Sequence, residues 1–481
     1  MKGEGCHGHL PRALLLGWVF LATTGCPAAE QTAQPAATVT VFETVELDLF
    51  RDTPIVSCGH FKAADTYRDA DGNPRILRGN TFEFETNGQA QLSTLDGQRL
   101  IAGEQSSCDT IWTVEGSDEN VGLGIDVTAA DLDGDGLPES LVADPQRNLN
   151  GSGSFGPGVI AILPGGLEGD HSFDDVETLL FGDYNDAGSG IMVLLEDGSP
   201  TLIAGAEANS GQDDEYGFLY LLPSPSSGGQ MEDLASGIIV GPGGGTFVPR
   251  ASDHDLTGDG LADVVASDAL YGGWAGLTLI YESPLGLRTE AGDAVATIAG
   301  EPGSVSGYAL STGDSDGDGH ADLLLGAINE DDMEGAAYLL YGPLAGDLQV
   351  SQADASFRPD PDPSGAWNPA YLGRALSLDQ DLDGDGRADP AIGVPGHEED
   401  DISVGGAYVW LGPVQGAQGP ATAAAHLFVA PDRHVAVGTL LLGLPDVDGD
   451  GLDDLLVYGA YSKESEDEYE PVFFLLRSVD L

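Results

Sequence analysis

Asp381-Leu382-Asp383-Gly384-Asp385-Gly386-Arg387-Ala388-Asp389 places acidic side chains at alternate positions and then turns back on two glycines. Positions 1, 3, 5 and 9 of such a loop offer oxygen ligands that can converge, and glycine at position 6 permits the sharp turn this requires. The pattern occurs four more times. Asp131, Asp133, Asp135 and Glu139 hold the four positions in 131–139, and Asp255, Thr257, Asp259 and Asp263 hold them in 255–263. Asp314, Asp316, Asp318 and Asp322 hold them in 314–322, and Asp446, Asp448, Asp450 and Asp454 in 446–454. From the second copy on they recur roughly every 60 residues, and the first gap is about twice as long. A depleted copy stands in the middle of that gap, at Leu195-Glu196-Asp197-Gly198, with the usual strand following it to Gly205. One Asp-x-Asp-Gly-Asp-Gly is often only an acidic turn, but five at regular spacing are a repeat.

The surroundings repeat too. A glycine-led strand precedes each loop (Gly307-Tyr308-Ala309-Leu310-Ser311, Gly373-Arg374-Ala375-Leu376) and an apolar strand follows it (Leu323-Leu324-Leu325-Gly326-Ala327). A third strand opens on glycine, as in Gly335-Ala336-Ala337-Tyr338 and Gly406-Ala407-Tyr408-Val409, and a looser fourth follows, as in Val295-Ala296-Thr297-Ile298. Short strands rich in β-branched and aromatic residues, glycine turns and no helical period predict an all-β fold, a β-propeller of four-stranded blades with six recognisable repeats. Such units bury their faces only by stacking on one another.

The last copy offers a third strand at Val472-Phe473-Phe474-Leu475-Leu476 and no fourth. Thr110-Ile111-Trp112-Thr113-Val114 is expected to supply it, closing six blades and leaving no free sheet edge. Residues 38–109 then form a small β module, immunoglobulin-like with Cys58 and Cys108 joined in a disulfide, or else a degenerate seventh blade. Asp69-Ala70-Asp71-Gly72-Asn73 and Asp96–Gly103 echo the repeat and favour the degenerate blade, which Thr38–Leu49 would close. The separate module is the preferred reading, with the propeller over 110–481.

The chain has 80 Asp and Glu against 17 Lys and Arg, a formal net charge of −63. Such a surface repels nucleic acid and anionic lipid headgroups, and excludes both as partners. With 41% apolar residues and 70 glycines the acids do not signal disorder; they belong to a halophile-like surface or to metal ligands, and their spacing favours ligands. Residues 1–26 read as a signal peptide, with an apolar run at Ala13–Ala22 too short to span a bilayer. It ends in Leu21-Ala22-Thr23-Thr24-Gly25-Cys26, which is similar to a lipobox with Cys26 as the lipidated residue, and 27–37 form a linker. The expected location is an outer-membrane or cell-surface lipoprotein, otherwise periplasmic or secreted. The oxidising compartment makes a Cys58–Cys108 disulfide the natural pairing of the remaining cysteines.

Three or four carboxylates per loop with no Cys or His favour Ca²⁺ over zinc, and the crowded, flexible geometry favours it over Mg²⁺. Four or five ions are expected. The loops are not EF-hands, because position 12 is Val142, Ala266, Leu325, Ile392 or Val457 where an EF-hand has Glu. Thr257 makes the second loop the weaker site, with Asp253 near enough to compensate, and the copy at Asp197 is expected to bind nothing.

The unit resembles the FG-GAP repeat of integrin α-subunit propellers and bacterial relatives over residues 117–481. The Phe-Gly element is degraded to Leu372-Gly373 or Gly307-Tyr308, Gly-Ala-Pro survives best as Gly393-Val394-Pro395, and the Asp-x-Asp-x-Asp-Gly-x-x-Asp loop is intact at 314–322, 381–389 and 446–454. The resemblance implies a propeller whose loops hold Ca²⁺. It does not carry integrin partners over, since no membrane-spanning helix follows the repeats.

Enzyme motifs are present in letters only. Gly313-Asp314-Ser315-Asp316-Gly317 spells Gly-x-Ser-x-Gly inside an acidic loop, not at a strand–helix elbow, and Gly151-Ser152-Gly153-Ser154-Phe155-Gly156 spells a dinucleotide fingerprint with no helix after it. His254 and His320 lie in or beside the loops and are expected to face solvent. The expectation is a calcium-binding cell-surface adhesion or scaffold protein that is not an enzyme and takes a protein or glycan ligand. Trp274 and Trp367 are candidate contacts, and Trp410 is a core residue. The alternative is a calcium-dependent polysaccharide hydrolase or lyase.

Overall fold

The computed structural model describes residues 63–68, 74–80, 89–95, 108–116 and most of 122–476. Within the last span it leaves out 146–155, 183–186, 197–198, 207–215, 226, 244–246, 252–253, 360–369, 397, 400–401, 404, 429–436, 445, 447–448 and 463–468. The targeting segment, Cys26, Cys58 and the Thr38–Leu49 strand therefore lie outside the described residues, and with Cys58 the expected disulfide.

Among the described residues the fold is all-β and propeller-like: seven successive sheets, with one two-stranded ribbon at Glu398–Glu399 and Ile402–Ser403. The fifth sheet shows the plan. Ser306–Gly313, Asp322–Ala327, Ala336–Leu340 and Ala355–Phe357 run as an antiparallel meander in chain order. Val127–Ala130 leads the second sheet, Ala187–Glu196 the third, Phe247–Ala251 the fourth, Leu376–Ser377 the sixth and Leu440–Leu444 the seventh. These leading strands neighbour one another in order, and that of the first sheet, Ala63–Arg68, lies beside that of the seventh.

The first sheet revises one expectation. Cys108–Glu115, which contains Thr110–Val114, pairs antiparallel with Gln89–Leu95 as the fourth strand after Ala63–Arg68, Pro74–Asn80 and Gln89–Leu95. It does not extend the last sheet, whose described strands are Leu440–Leu444, Asp454–Ser462 and Tyr469–Leu476. The reason is packing. Trp112 and Val114 are buried with Leu77, Ala90 and Leu92 against Val127, Val142 and Val159 of the second sheet. The second to fifth sheets make the same contact with their successors: Leu202 and Tyr220 against Leu141 and Ile160, Val264 against Leu219, Leu323 against Val265, Ile392 against Leu324. The cores lie between sheets, so a sheet's apolar alternation is satisfied only by a neighbour.

A fifth strand that the sequence did not reveal joins the sheets. Between their third and fourth strands the second to sixth sheets each send a short segment back to run parallel to the fourth strand of the sheet before, among them Gly169–Ser172 on Cys108–Glu115, Gly346–Gln349 on Ala296–Ala299 and Gly416–Gln418 on Ala355–Phe357. The strap covers an edge that would otherwise expose unpaired N–H and C=O groups.

Candidate metal centres

The five acidic loops all connect the first strand of a sheet to its second, so the repeat in sequence becomes one place in the fold. Position 1 ties the loop together. The Asp314 carboxylate accepts the N–H of Gly317 at 2.7 Å and of Gly319 at 2.9 Å, and Asp131, Asp255, Asp381 and Asp446 accept the matching pairs. Gly319 sits at φ 92° and Gly317 at φ 79°, a region that side chains with a Cβ rarely adopt. The acid at position 9 stands at or just before the start of the second strand and is buried. Glu139, Asp263, Asp322 and Asp389 each accept the N–H of position 2 at 2.7–2.8 Å.

Oxygens of Asp131, Asp133 and Glu139 lie within 4.8 Å of one another, as do those of Asp314, Asp316 and Asp322, and those of Asp381, Asp383 and Asp385. Carboxylates crowded in this way repel one another, and burial compounds the cost. Burial pushes Asp322 up to about 6, with Asp316 adding to it and the Ser315 and Gly342 hydrogen bonds opposing it. Asp263 is likewise pushed up to about 6 and Asp389 to about 7, mainly by burial. Burial also raises Glu139. A divalent cation is the group that reverses these penalties, and an all-oxygen donor set suits a hard one.

The structure brings together fewer predicted ligands per loop than four. Asp135 and Asp318 stay outside the clusters and accept the N–H of Leu137 and His320, both at 2.8 Å, as Asp385 accepts that of Arg387 at 3.0 Å. In the fourth loop, 381–389, Asp385 joins the cluster, while Asp389 accepts from Leu382 and from Gly412 at 2.9 Å. In the second loop the Thr257 hydroxyl donates to Asp263 at 3.2 Å, and Asp255, Asp259 and Asp263 form no such cluster among the described residues. Asp448 lies outside the described residues; in its loop Asp446 accepts from Gly449 and Gly451, and Asp450 from Leu452. Asp197 and Asp253 also lie outside them.

Sequence reasoning missed the clamp on position 9. Gly342 and Gly412, in the turn after a third strand, donate an N–H at 2.9 Å to Asp322 and Asp389 respectively. A Cβ at either would come within 2.4 Å of a backbone oxygen, of Ala321 or Ser315 respectively. The recurring Gly-Pro after the third strand, Gly342-Pro343 and Gly412-Pro413, was the available signal.

Ser315, the serine of the Gly-x-Ser-x-Gly string, is fully buried and its hydroxyl donates to Asp322 at 2.6 Å. It braces a carboxylate from within the loop. The 151–155 glycine run lies outside the described residues. His254 is half-buried, its Nδ1 2.9 Å from the Thr312 hydroxyl. Trp274 is exposed and Trp410 buried, as expected; Trp367 lies outside the described residues. Among the described residues no helix is long and apolar enough to cross a membrane.

Comparison with known proteins agrees with this geometry. Residues 306–340, the first three strands of the fifth sheet and their acidic loop, match the FG-GAP repeat family. The chain is similar to mouse integrin alpha-M, 35% identical over 103 residues, which is 20% of this chain and 8% of that protein. It is similar also to mouse integrin alpha-X, 34% identical over 116 residues, 23% of this chain and 9% of that protein. The matched stretch thus spans under a tenth of the length of these curated relatives.

Proposed function

We propose that this chain, an FG-GAP protein of the integrin-alpha-like family, is an exported, calcium-loaded β-propeller that binds a macromolecular ligand and catalyses nothing. Its seven sheets are read as seven blades around one axis, the first sheet being the degenerate blade that its sequence echo suggested. The neighbouring leading strands of the first and seventh sheets support a closed ring. Three carboxylate clusters at the same loop of different sheets carry the calcium reading: their oxygens lie within 4.8 Å of one another in a chain of net charge −63, and the Arg387 guanidinium on Asp385, at 2.6 Å, offsets the charge of one of them in part. Ca²⁺ suits them better than Mg²⁺, because loops that mix carboxylates with backbone oxygens tolerate irregular coordination. Export fits the N-terminal targeting segment and the aspartate-rich surface. The ligand class, protein or glycan, is left to binding experiments.

Isothermal titration of the mature protein with CaCl₂, paired with melting in calcium and in EGTA, tests the reading. Four or five sites and a higher melting temperature in calcium are expected, since a ligand of the native state at a hundredfold its Kd adds about 2.7 kcal/mol per site. No binding heat together with unchanged melting in EGTA overturns it.

A further inference from the structure

The acidic loops of the fourth to seventh sheets are joined to one another through their backbones. In the fifth, sixth and seventh sheets the N–H at position 8 donates to the carbonyl at position 1 of the loop before. Ala321 donates to Asp255 at 3.0 Å, Ala388 to Asp314 at 2.8 Å and Asp453 to Asp381 at 3.4 Å. The last link is returned, since the Asp453 carboxylate accepts the Asp381 N–H at 3.2 Å. Position 7 adds a side-chain contact in the same direction, over the glycine at position 4 of the loop before. A Cβ on Gly258 would stand 3.3 Å from His320 Cε1, one on Gly317 2.9 Å from Arg387 Nε, and one on Gly384 2.6 Å from Leu452 Cδ2.

The loop of the second sheet stands outside this chain. Its position 8 is Pro138, which has no N–H to donate. On its other side lies the third sheet, where Glu196 pairs with Ser199 and only Asp197 and Gly198 connect the two strands. No full acidic loop therefore stands between 131–139 and 255–263.

The links end on groups of the carboxylate clusters. The Asp314 carboxylate belongs to one cluster while its carbonyl holds Ala388, and Ala388 precedes Asp389, the buried acid of the next loop. Asp381 is a cluster member too, and its carbonyl holds Asp453, beside the buried Asp454. A cation that fixes Asp314 thus also fixes the backbone on which the next loop closes, and that loop is then ordered at a smaller entropy cost. The effect is reciprocal, since coupling of two binding sites acts equally in both directions.

We infer that the loops at 314–322, 381–389 and 446–454 take up divalent cations as a coupled array, each filled loop raising its neighbour's affinity about tenfold, while the loop at 131–139 binds independently. The inference deepens the calcium reading and rests on it. What it adds is the role of the position-8 N–H, a group that is no ligand.

The test is a cycle of position-3 variants of the full-length mature protein, titrated calorimetrically with CaCl₂. Asp316→Ala and Asp383→Ala are measured singly and together, and Asp133→Ala alone and with Asp316→Ala. The quantity compared is the product of the calcium binding constants. Independent loops give a double variant whose loss is the product of the two single losses. For Asp316 with Asp383 the double loss should fall about tenfold short of that product, because each single variant also removes its neighbour's gain. For Asp133 with Asp316 the losses should multiply. Ala388→Pro, which copies Pro138 and deletes the N–H that holds Asp314, should make the Asp316 and Asp383 losses multiply as well. Multiplying losses for Asp316 with Asp383 in the parent, an equal shortfall for Asp133 with Asp316, or a shortfall that survives Ala388→Pro overturns the inference. If Ala388→Pro does not fold, the two pairs decide it without that variant. A parent without binding heat fails the calcium reading itself, whereas binding heat with multiplying losses fails the coupling alone.

Discussion

Gly326 stands back to back with Gly373 of the next sheet: a Cβ on Gly326 would lie 2.1 Å from the Gly373 carbonyl oxygen. The arrangement recurs where Gly393 meets Gly438 at 2.1 Å and where Gly79 meets Gly124 at 1.9 Å. In each pair one glycine sits in a second strand and the other just precedes the next leading strand, so two backbones approach with nothing between them. Gly326→Ala should therefore cost about 2–4 kcal/mol, because backbone must move to admit a methyl group. Gly346→Ala is the control. Gly346 has φ 76° and open space around its missing Cβ, so only conformational strain of about 1 kcal/mol is expected. Denaturant melts of the two variants check the ranking, and equal losses would refute the close-approach argument.

Asp322 and Asp316 belong to the same cluster but do different work. Asp322 is fully buried and accepts from Ser315 and Gly342, whereas the Asp316 carboxylate is half-buried and accepts the Asp318 N–H at 3.0 Å. Asp322→Ala should destabilise by about 3 kcal/mol even in EGTA, since it leaves buried donors without an acceptor. Asp316→Ala should lower the melting temperature only in calcium, staying within about 0.5 kcal/mol of the parent in EGTA. If the two variants behave alike in EGTA, position 9 is a ligand and not also a brace.

The Gly79–Gly124 pair shows how far the sequence could be read. Spacing of aspartates located five loops, and their surroundings gave strand order within a sheet, because turn residues and apolar runs are local signals. The first sheet was harder. Its loop is reduced to Asp69-Ala70-Asp71-Gly72-Asn73, and Arg78-Gly79-Asn80 retains only the glycine of Gly-Ala-Pro. What makes Gly79 necessary is a backbone in the next sheet, which no local pattern announces. The straps were illegible for the same reason: Gly169–Ser172 is exposed or half-buried, without alternation, and becomes a strand only because Cys108–Glu115 offers it an edge. In the loops, residue types identified the donors, but spacing did not say that Glu139 and Asp322 join their clusters from position 9 while Asp385 joins from position 5.

Trp410 should be the costliest single aromatic to remove. It is buried against Phe357, with ring centroids 4.6 Å apart, and its Nε1 donates to Thr422 at 3.2 Å. It packs in the core shared by the fifth and sixth sheets. Trp410→Ala should cost about 3–5 kcal/mol, while Trp274→Ala, at an exposed position, should leave the denaturation midpoint nearly unchanged. The comparison also asks whether Trp274 serves a partner: a loss of ligand binding without loss of stability at that position would say that it does.

Asp126 links the second and third sheets, its carboxylate accepting the Ile191 N–H at 2.8 Å and the Val127 N–H at 3.0 Å. Burial pushes it up to about 6; the two N–H groups and Arg250 oppose the rise and Asp65 adds to it. The folded chain therefore holds this proton more tightly than the unfolded chain, whose Asp titrates near 4. Its contribution to stability is complete below about pH 4 and is lost as pH rises through about 6. In Asp126→Asn the group no longer titrates, although one N–H loses its acceptor because the amide nitrogen cannot accept. The difference in unfolding free energy between parent and variant, measured at constant calcium from pH 4 to 7, should move against the parent by at most about 1.4 kcal/mol per pH unit, with the change confined to pH 4–6. A flat difference across that window would mean that Asp126 is ionised in the folded protein and that the two N–H groups outweigh burial.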